Sequence, residues 1–168
     1  MKRLRAIALL FSLITVLVLL FPFPAQATIR QLEEAPGQIL YQTRAALQDQ
    51  QGNRWQAIAF KRQPREGAEI LSLRLVGFPG AAVIDRDQPL KLLDSLGRTF
   101  TAPDASAKLF TDETAPEPHI GQYDLKTVLK DLQPEIPLEI QMPVQDGEPI
   151  QLVVAPSILQ EWQQLLDH

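Results

Sequence analysis

His119 is the one histidine inside the chain, set between Pro118 and Ile120 in a Pro-rich acidic stretch, and His168 is the last residue. A hydrolase that activates a serine or threonine needs a base within hydrogen-bond reach of its nucleophile, and His119 is the imidazole placed to be one. The sequence has no cysteine, which removes both thiol chemistry and disulfide bonds from consideration. Carboxylates are more plentiful. Asp104, Asp112, Glu113 and Glu117, between Pro103 and Tyr123, and Asp124 just after it, offer oxygen ligands to a cation, but without the alternation and central glycine of an EF-hand loop. Such a segment is expected to be a solvated acidic loop. Asp85 and Asp87 flank Arg86 in a polar turn, which does not hold two carboxyl groups at the fixed separation that glycoside hydrolysis requires. No dinucleotide, Walker or nucleophile-elbow motif is present. The residues therefore predict no catalytic group, no metal site and no cofactor.

Recognition chemistry is better represented than catalysis. In Leu73-Arg-Leu-Val-Gly-Phe-Pro-Gly-Ala-Ala-Val-Ile84, Phe78 lies between a glycine and a Pro-Gly pair, where the backbone can bulge and present a ring. Phe78, Pro79, Gly80 and Ala81 are the candidate contact for a partner protein, since aromatics on rigid turns make good anchors. The ring itself is expected to fold back over the core, because buried aromatics dominate core energetics, leaving Pro79 and Ala81 as an exposed rim.

These residues must be positioned by strands. Ile39, Tyr41, Thr43, Ala45 and Leu47 alternate with more polar neighbours, Asp49 to Gly52 reads as a hairpin turn, and Arg54 to Lys61 returns with Trp55, Ile58 and Phe60. Ile70 to Val76 is a third strand, and residues 89–102 form a second hairpin. Its Asp94-x-x-Gly97-x-x-Phe100 repeats Asp49-x-x-Gly52-x-x-Trp55, each with a leucine two residues before the aspartate. Turn chemistry alone accounts for that repeat. Leu125, Val128, Leu129 and Leu132 behind Asp124 predict a short internal helix ended by Pro134. Leu138 to Val144 and Ile150 to Val154 flank a turn at Gln145 to Glu148. Ser157 and Gln160 fit a capping box ahead of an apolar stripe of Ile158, Leu159, Trp162, Leu165 and Leu166, which predicts a C-terminal amphipathic helix over 157–167. The predicted fold is mainly β: a small antiparallel β-sandwich or barrel-like sheet with these two helices. Residues 28–37 show no period and are expected to be an N-terminal arm to a single domain over 38–168.

Residues 1–27 have the three zones of a cleavable signal peptide: Lys2, Arg3 and Arg5, then an apolar run to Phe21, then Pro22 and Pro24 before Ala25-Gln26-Ala27. The small residues Ala25 and Ala27 place the cut after Ala27. A retained anchor needs about 20 apolar residues, more than this run supplies, so no stable membrane anchor is expected after cleavage. Removal of the leader takes three basic residues and no acidic one, leaving 13 Lys+Arg against 20 Asp+Glu, net −7. That balance argues against nucleic acid or an anionic membrane as the main partner.

The stretch Ser72-Leu-Arg-Leu-Val-Gly-Phe-Pro-Gly80, followed by Pro89 to Ala102 behind a leucine-rich leader ending Pro-Ala-Gln-Ala, resembles a cyanobacterial family of short exported proteins, domain of unknown function 3122. The resemblance covers nearly the whole mature chain and implies a cyanobacterial host, hence thylakoid lumen or periplasm, without assigning any catalytic or binding residue. The leading expectation is a non-enzymatic accessory protein that binds another protein, in assembly or maintenance of a membrane complex. The alternative is an envelope-ligand or glycan-binding module, which requires Tyr41, Trp55, Tyr123 and Trp162 to line one exposed face. An enzyme comes third, and requires His119 to converge with acidic residues in a cleft.

Overall fold

Alternating apolar residues separated by Asp-x-x-Gly turns fold into two stacked antiparallel sheets with a terminal helix. The computed structural model describes residues 29–109 and 117–168. Residues 1–28, with Ala25 and Ala27 of the expected cleavage site, and the acids Asp112 and Glu113 lie outside the described residues.

The first sheet orders its strands β1 (Arg30–Ala35), β2 (Gln38–Gln48), β3 (Arg54–Gln63), β4 (Ile70–Val76) and β7 (Ile120–Asp124). The second orders β6 (Thr99–Ala102), β5 (Leu90–Asp94), β8 (Leu138–Met142) and β9 (Ile150–Val154). Their facing sides share one core. Trp55, Leu73, Leu75 and Tyr123 come from the first sheet, and Leu92, Ile140, Leu152 and Val154 from the second. The sandwich is realised and the sheet does not close into a barrel. β3 is central in its sheet, as its apolar weight implied, and it is apolar on both faces: Trp55, Ala57 and Ala59 face the core, while Ile58 and Phe60 join Leu40 in a small cluster on the outer side.

Helix α1 (Pro156–Gln164), extended by a 3-10 turn over Leu165–Asp167, buries Leu159, Trp162 and Leu165 in the core. Glu161 accepts a 2.8 Å hydrogen bond from the Thr43 hydroxyl of β2, and the Gln163 amide donates to the carbonyls of Leu129 and Leu132.

Several expectations need correction. The stretch expected as an arm contains β1, an edge strand exposed along its whole length and paired with β2; a strand with no buried face leaves no hydrophobic period to read. β4 pairs with β3 and, on its other side, with β7, which comes from the end of the segment expected to be a solvated acidic loop. The internal helix is only a 3-10 turn at Leu129–Asp131. Asp124 ends β7 instead of capping a helix, its carboxylate accepts the Lys126 N–H, and the Leu125 N–H bonds Leu71 O. Leu125, Val128, Leu129 and Leu132 are nonetheless all buried. Ser157 and Gln160 form no capping box: Ala155 is the N-cap residue and Pro156 opens the helix, its ring preset for the first turn. β8 and β9 do pair, but Val144 leaves the ladder to bridge Ile84.

Candidate functional site

Phe78, Pro79, Gly80 and Ala81 form one β-turn, with the Ala81 N–H donating to Phe78 O at 3.0 Å and Gly80 at φ 84°. Proline at the second position and a left-handed glycine at the third define a type II turn. All four residues are exposed, and Phe78 most of all among the large apolar side chains, at 67% with Leu96. The expectation that its ring tucks over the core is therefore wrong. The cause lies beneath the turn. Trp55 fills that space so closely that a Cβ placed on Gly77 would lie 2.8 Å from two of its ring carbons, so no room remains for a second ring.

The turn is braced at its base. Gly77 N–H donates to His119 O at 3.0 Å and Ile84 N–H to Pro118 O at 2.9 Å, while Gln145 N–H donates to Val83 O and Asp85 N–H to Pro143 O. Four main-chain bonds to two other segments fix the loop, so presenting Phe78 to a partner costs little ordering entropy. Beside the ring lies a shallow cleft of about 280 Å³ lined by Ala46, Arg54, Trp55, Gln56, Val76 and Gly77. The arrangement suits insertion of an apolar side chain between the Phe78 ring and the strand ends, with Arg54 at the rim.

The other sequence candidates disperse. The His119 side chain is buried, and its carbonyl serves to pin the Phe78 loop; among the described residues no carboxylate pairs with it. Asp104 accepts bonds from Ser106, and Asp85 from the Asp87 N–H and Gln88. No group of three or more His, Cys, Asp or Glu placed to hold a metal occurs among the described residues. Trp55, Tyr123 and Trp162 are buried in the core, and Tyr41 stacks on His168 with ring centres 4.6 Å apart. These four rings therefore do not line one exposed face. Burial in the core pushes the Tyr123 hydroxyl well above the usual phenol range, with the Asp104 charge adding to the effect.

The fold and the site thus define an antiparallel β-sandwich that presents a braced aromatic turn beside an apolar cleft. Residues 27–165 match the family described as Protein of unknown function (DUF3122), and the chain belongs to that family. No curated protein and no solved structure matches it.

Proposed function

We propose that this chain is an exported, non-catalytic binding module of cyanobacteria, resident in the thylakoid lumen or periplasm, that docks another protein through the Phe78 turn and takes part in assembly or maintenance of a membrane complex. One observation carries the docking reading: a phenylalanine 67% exposed on a four-fold braced turn next to an apolar cleft. A large apolar ring held in water has no folding reason to be there, whereas rigid aromatic anchors dominate protein interfaces. The leader sequence supports export. The enzyme reading has no support from His119, whose side chain is buried and pairs with no carboxylate among the described residues.

The test is capture of partners from native membranes by tagged chain, wild type against Phe78→Ala. The variant should melt within about 2 °C of wild type, because little apolar area is lost from the core, and should lose at least about tenfold in partner recovery, as truncation of an interface anchor does. Unaltered recovery, or a variant that unfolds, would sink the reading. Export has its own check. The protein recovered from the native host should begin at Thr28, and an intact Met1 form in the membrane pellet would replace cleavage by anchoring.

A further inference from the structure

The chain is acidic overall, with 16 Lys+Arg against 20 Asp+Glu, yet strand register gathers arginines on one surface. Alternation places Arg30, Arg44, Arg54, Arg62 and Arg74 on the outer face of the first sheet, where the carboxylates are Glu34 and Asp124. Arg44 and Arg74 sit directly across from Ile58 on either side, in a row that continues to Gln122. Arg62 and Arg74 both lie over the Phe60 ring, their guanidinium carbons 5.6 and 5.4 Å from its centre. Arg62 pairs with Glu34 at 2.7 Å. Arg30, Arg44, Arg54 and Arg74 make no ion pair among the described residues. Arg74 donates instead to the Gln122 amide oxygen at 3.0 Å, and Arg44 reaches only Gln42.

From this geometry we infer that the outer face of the five-stranded sheet binds an acidic, extended segment of the partner protein, its carboxylates received by Arg44, Arg74 and Arg54. The inference rests on the binding-module reading and adds the partner's chemistry. Arg62 and Arg74 over the Phe60 ring help keep water from the apolar cluster it forms with Leu40 and Ile58, but shielding alone needs no excess of one sign. Mixed charges would cover it as well and would attract each other. Burial lowers the Arg74 pKa from its ordinary value, the Arg62 and Arg44 charges lower it further, and Glu34 alone opposes them. An incoming carboxylate relieves that repulsion and accepts the planar two-donor bonds that guanidinium offers. Arg44 and Arg74, two strand spacings apart, are separated by about 10 Å, close to the roughly 9 Å between side chains three residues apart on one side of an extended polyproline II segment. A membrane surface fits less well, since the apolar residues in the middle of this face lie beneath the arginines and do not protrude. Ala46, Arg54, Gln56 and Val76 of this face also line the Phe78 cleft, so one bound segment can engage both.

The experiment titrates the purified chain into a fluorescein-labelled deca-glutamate peptide and follows anisotropy at low and physiological salt. Wild type should bind, more weakly as salt rises. Arg44→Gln with Arg54→Gln, both exposed, should weaken binding at least about tenfold, the scale of losing two charge-assisted contacts; Arg44→Gln with Arg74→Gln should do at least as much. Lys91→Gln with Lys130→Gln, exposed and carried by the second sheet and the 3-10 turn at Leu129–Asp131, should change affinity less than about twofold at physiological salt, where distant exposed charges are screened. No binding by wild type, or equal losses in the lysine pair, overturns the inference. So does preferential binding to phosphatidylglycerol-containing vesicles over the peptide, which would make a membrane the occupant. The two readings fail separately. If the peptide does not bind while Phe78→Ala still abolishes partner capture, the docking reading survives and the acidic segment falls; if the arginine variants lose the peptide while Phe78→Ala leaves capture unchanged, the reverse holds.

Discussion

Trp162→Ala should lower the stability of the domain by about 3–5 kcal/mol, the usual cost of truncating a buried tryptophan, and reduce the melting temperature by about 10 °C or more. Trp162 is fully buried between Leu159 and Leu165 on the helix and the core of the sandwich. Polar contacts hold the helix and its end as well: the Thr43 to Glu161 bond, the Gln163 amide on the Leu129 and Leu132 carbonyls, and Lys61 and Gln63 on the His168 carbonyl. Removing the ring therefore empties the cavity that α1 was folded to fill. The indole N–H has no hydrogen-bond partner in its buried site, so wild type already bears the cost of burying that donor. Trp162→Phe should for this reason recover most of the stability lost in Trp162→Ala. Thermal and urea unfolding of the three proteins decides the matter. A shift of only a degree or two in the alanine variant would mean that the helix is peripheral to the folded unit.

The terminal helix was legible because its stripe is long and one-sided: Leu159, Trp162 and Leu165 are buried, although Leu166 at its end is exposed. β2, β3, β4, β8 and β9 were legible for the same reason: each has a face in the core, and burial writes a period of two into the sequence. What escaped reading lacks that imprint. β1 has no buried face. β7 offers only Ile120 and Tyr123 as large apolar side chains, with Gly121 between them pressed close to the Tyr123 ring, and it finds β4 across some 45 residues of chain, a separation no local pattern encodes. Leu125 to Leu132 shows that burial and conformation are separable: the spacing identified four core residues, yet Asp124 was already committed to a strand and its bond to Lys126 turned the chain another way.

The candidate site divides along the same line. The Pro-Gly pair announced a turn at Phe78, but the direction of the ring depends on Trp55, which lies more than 20 residues away and occupies the space below Gly77. Net charge concealed the arginine face altogether. Arg30, Arg44, Arg54, Arg62 and Arg74 lie on four different strands, and only the register of three hairpin-like pairings brings them to one surface. A sum over the chain reports solubility; a sheet can still segregate a minority charge onto one face.

The two Asp-x-x-Gly turns give the second large effect, and a contrast that tests whether turn chemistry is all they share. Asp49 and Asp94 adopt the same local pattern. Each main-chain carbonyl accepts from the glycine three residues on, Gly52 or Gly97, and each Oδ1 accepts two backbone N–H groups, from Gln51 and Asn53 in one turn and from Leu96 and Arg98 in the other. The second oxygen differs. Asp49 Oδ2 accepts the Asn53 amide and, at 3.1 Å, the indole N–H of buried Trp55, whereas Asp94 Oδ2 receives the half-exposed Arg98 guanidinium. Asp49→Ala therefore leaves a buried indole donor unpaired in addition to losing the turn bonds, a cost of about 2–4 kcal/mol; Asp94→Ala releases a guanidinium that water can solvate and should cost distinctly less. Acid should act on both. Burial raises the pKa of each carboxyl, but the hydrogen bonds outweigh it and leave both below their ordinary value, with Asn53 and Trp55 acting on Asp49 and Arg98 on Asp94. A carboxyl whose folded pKa is depressed contributes stability above its unfolded pKa and loses it as pH falls through the folded value. Wild type should thus lose stability below about pH 4, and each alanine variant should lose less over the same range because one such carboxyl is gone. Urea unfolding at neutral pH and near pH 3 measures both effects. Equal destabilisation by the two substitutions would show that the Trp55 bond contributes nothing, and that the floor of the Phe78 cleft is held by packing against Gly77 alone.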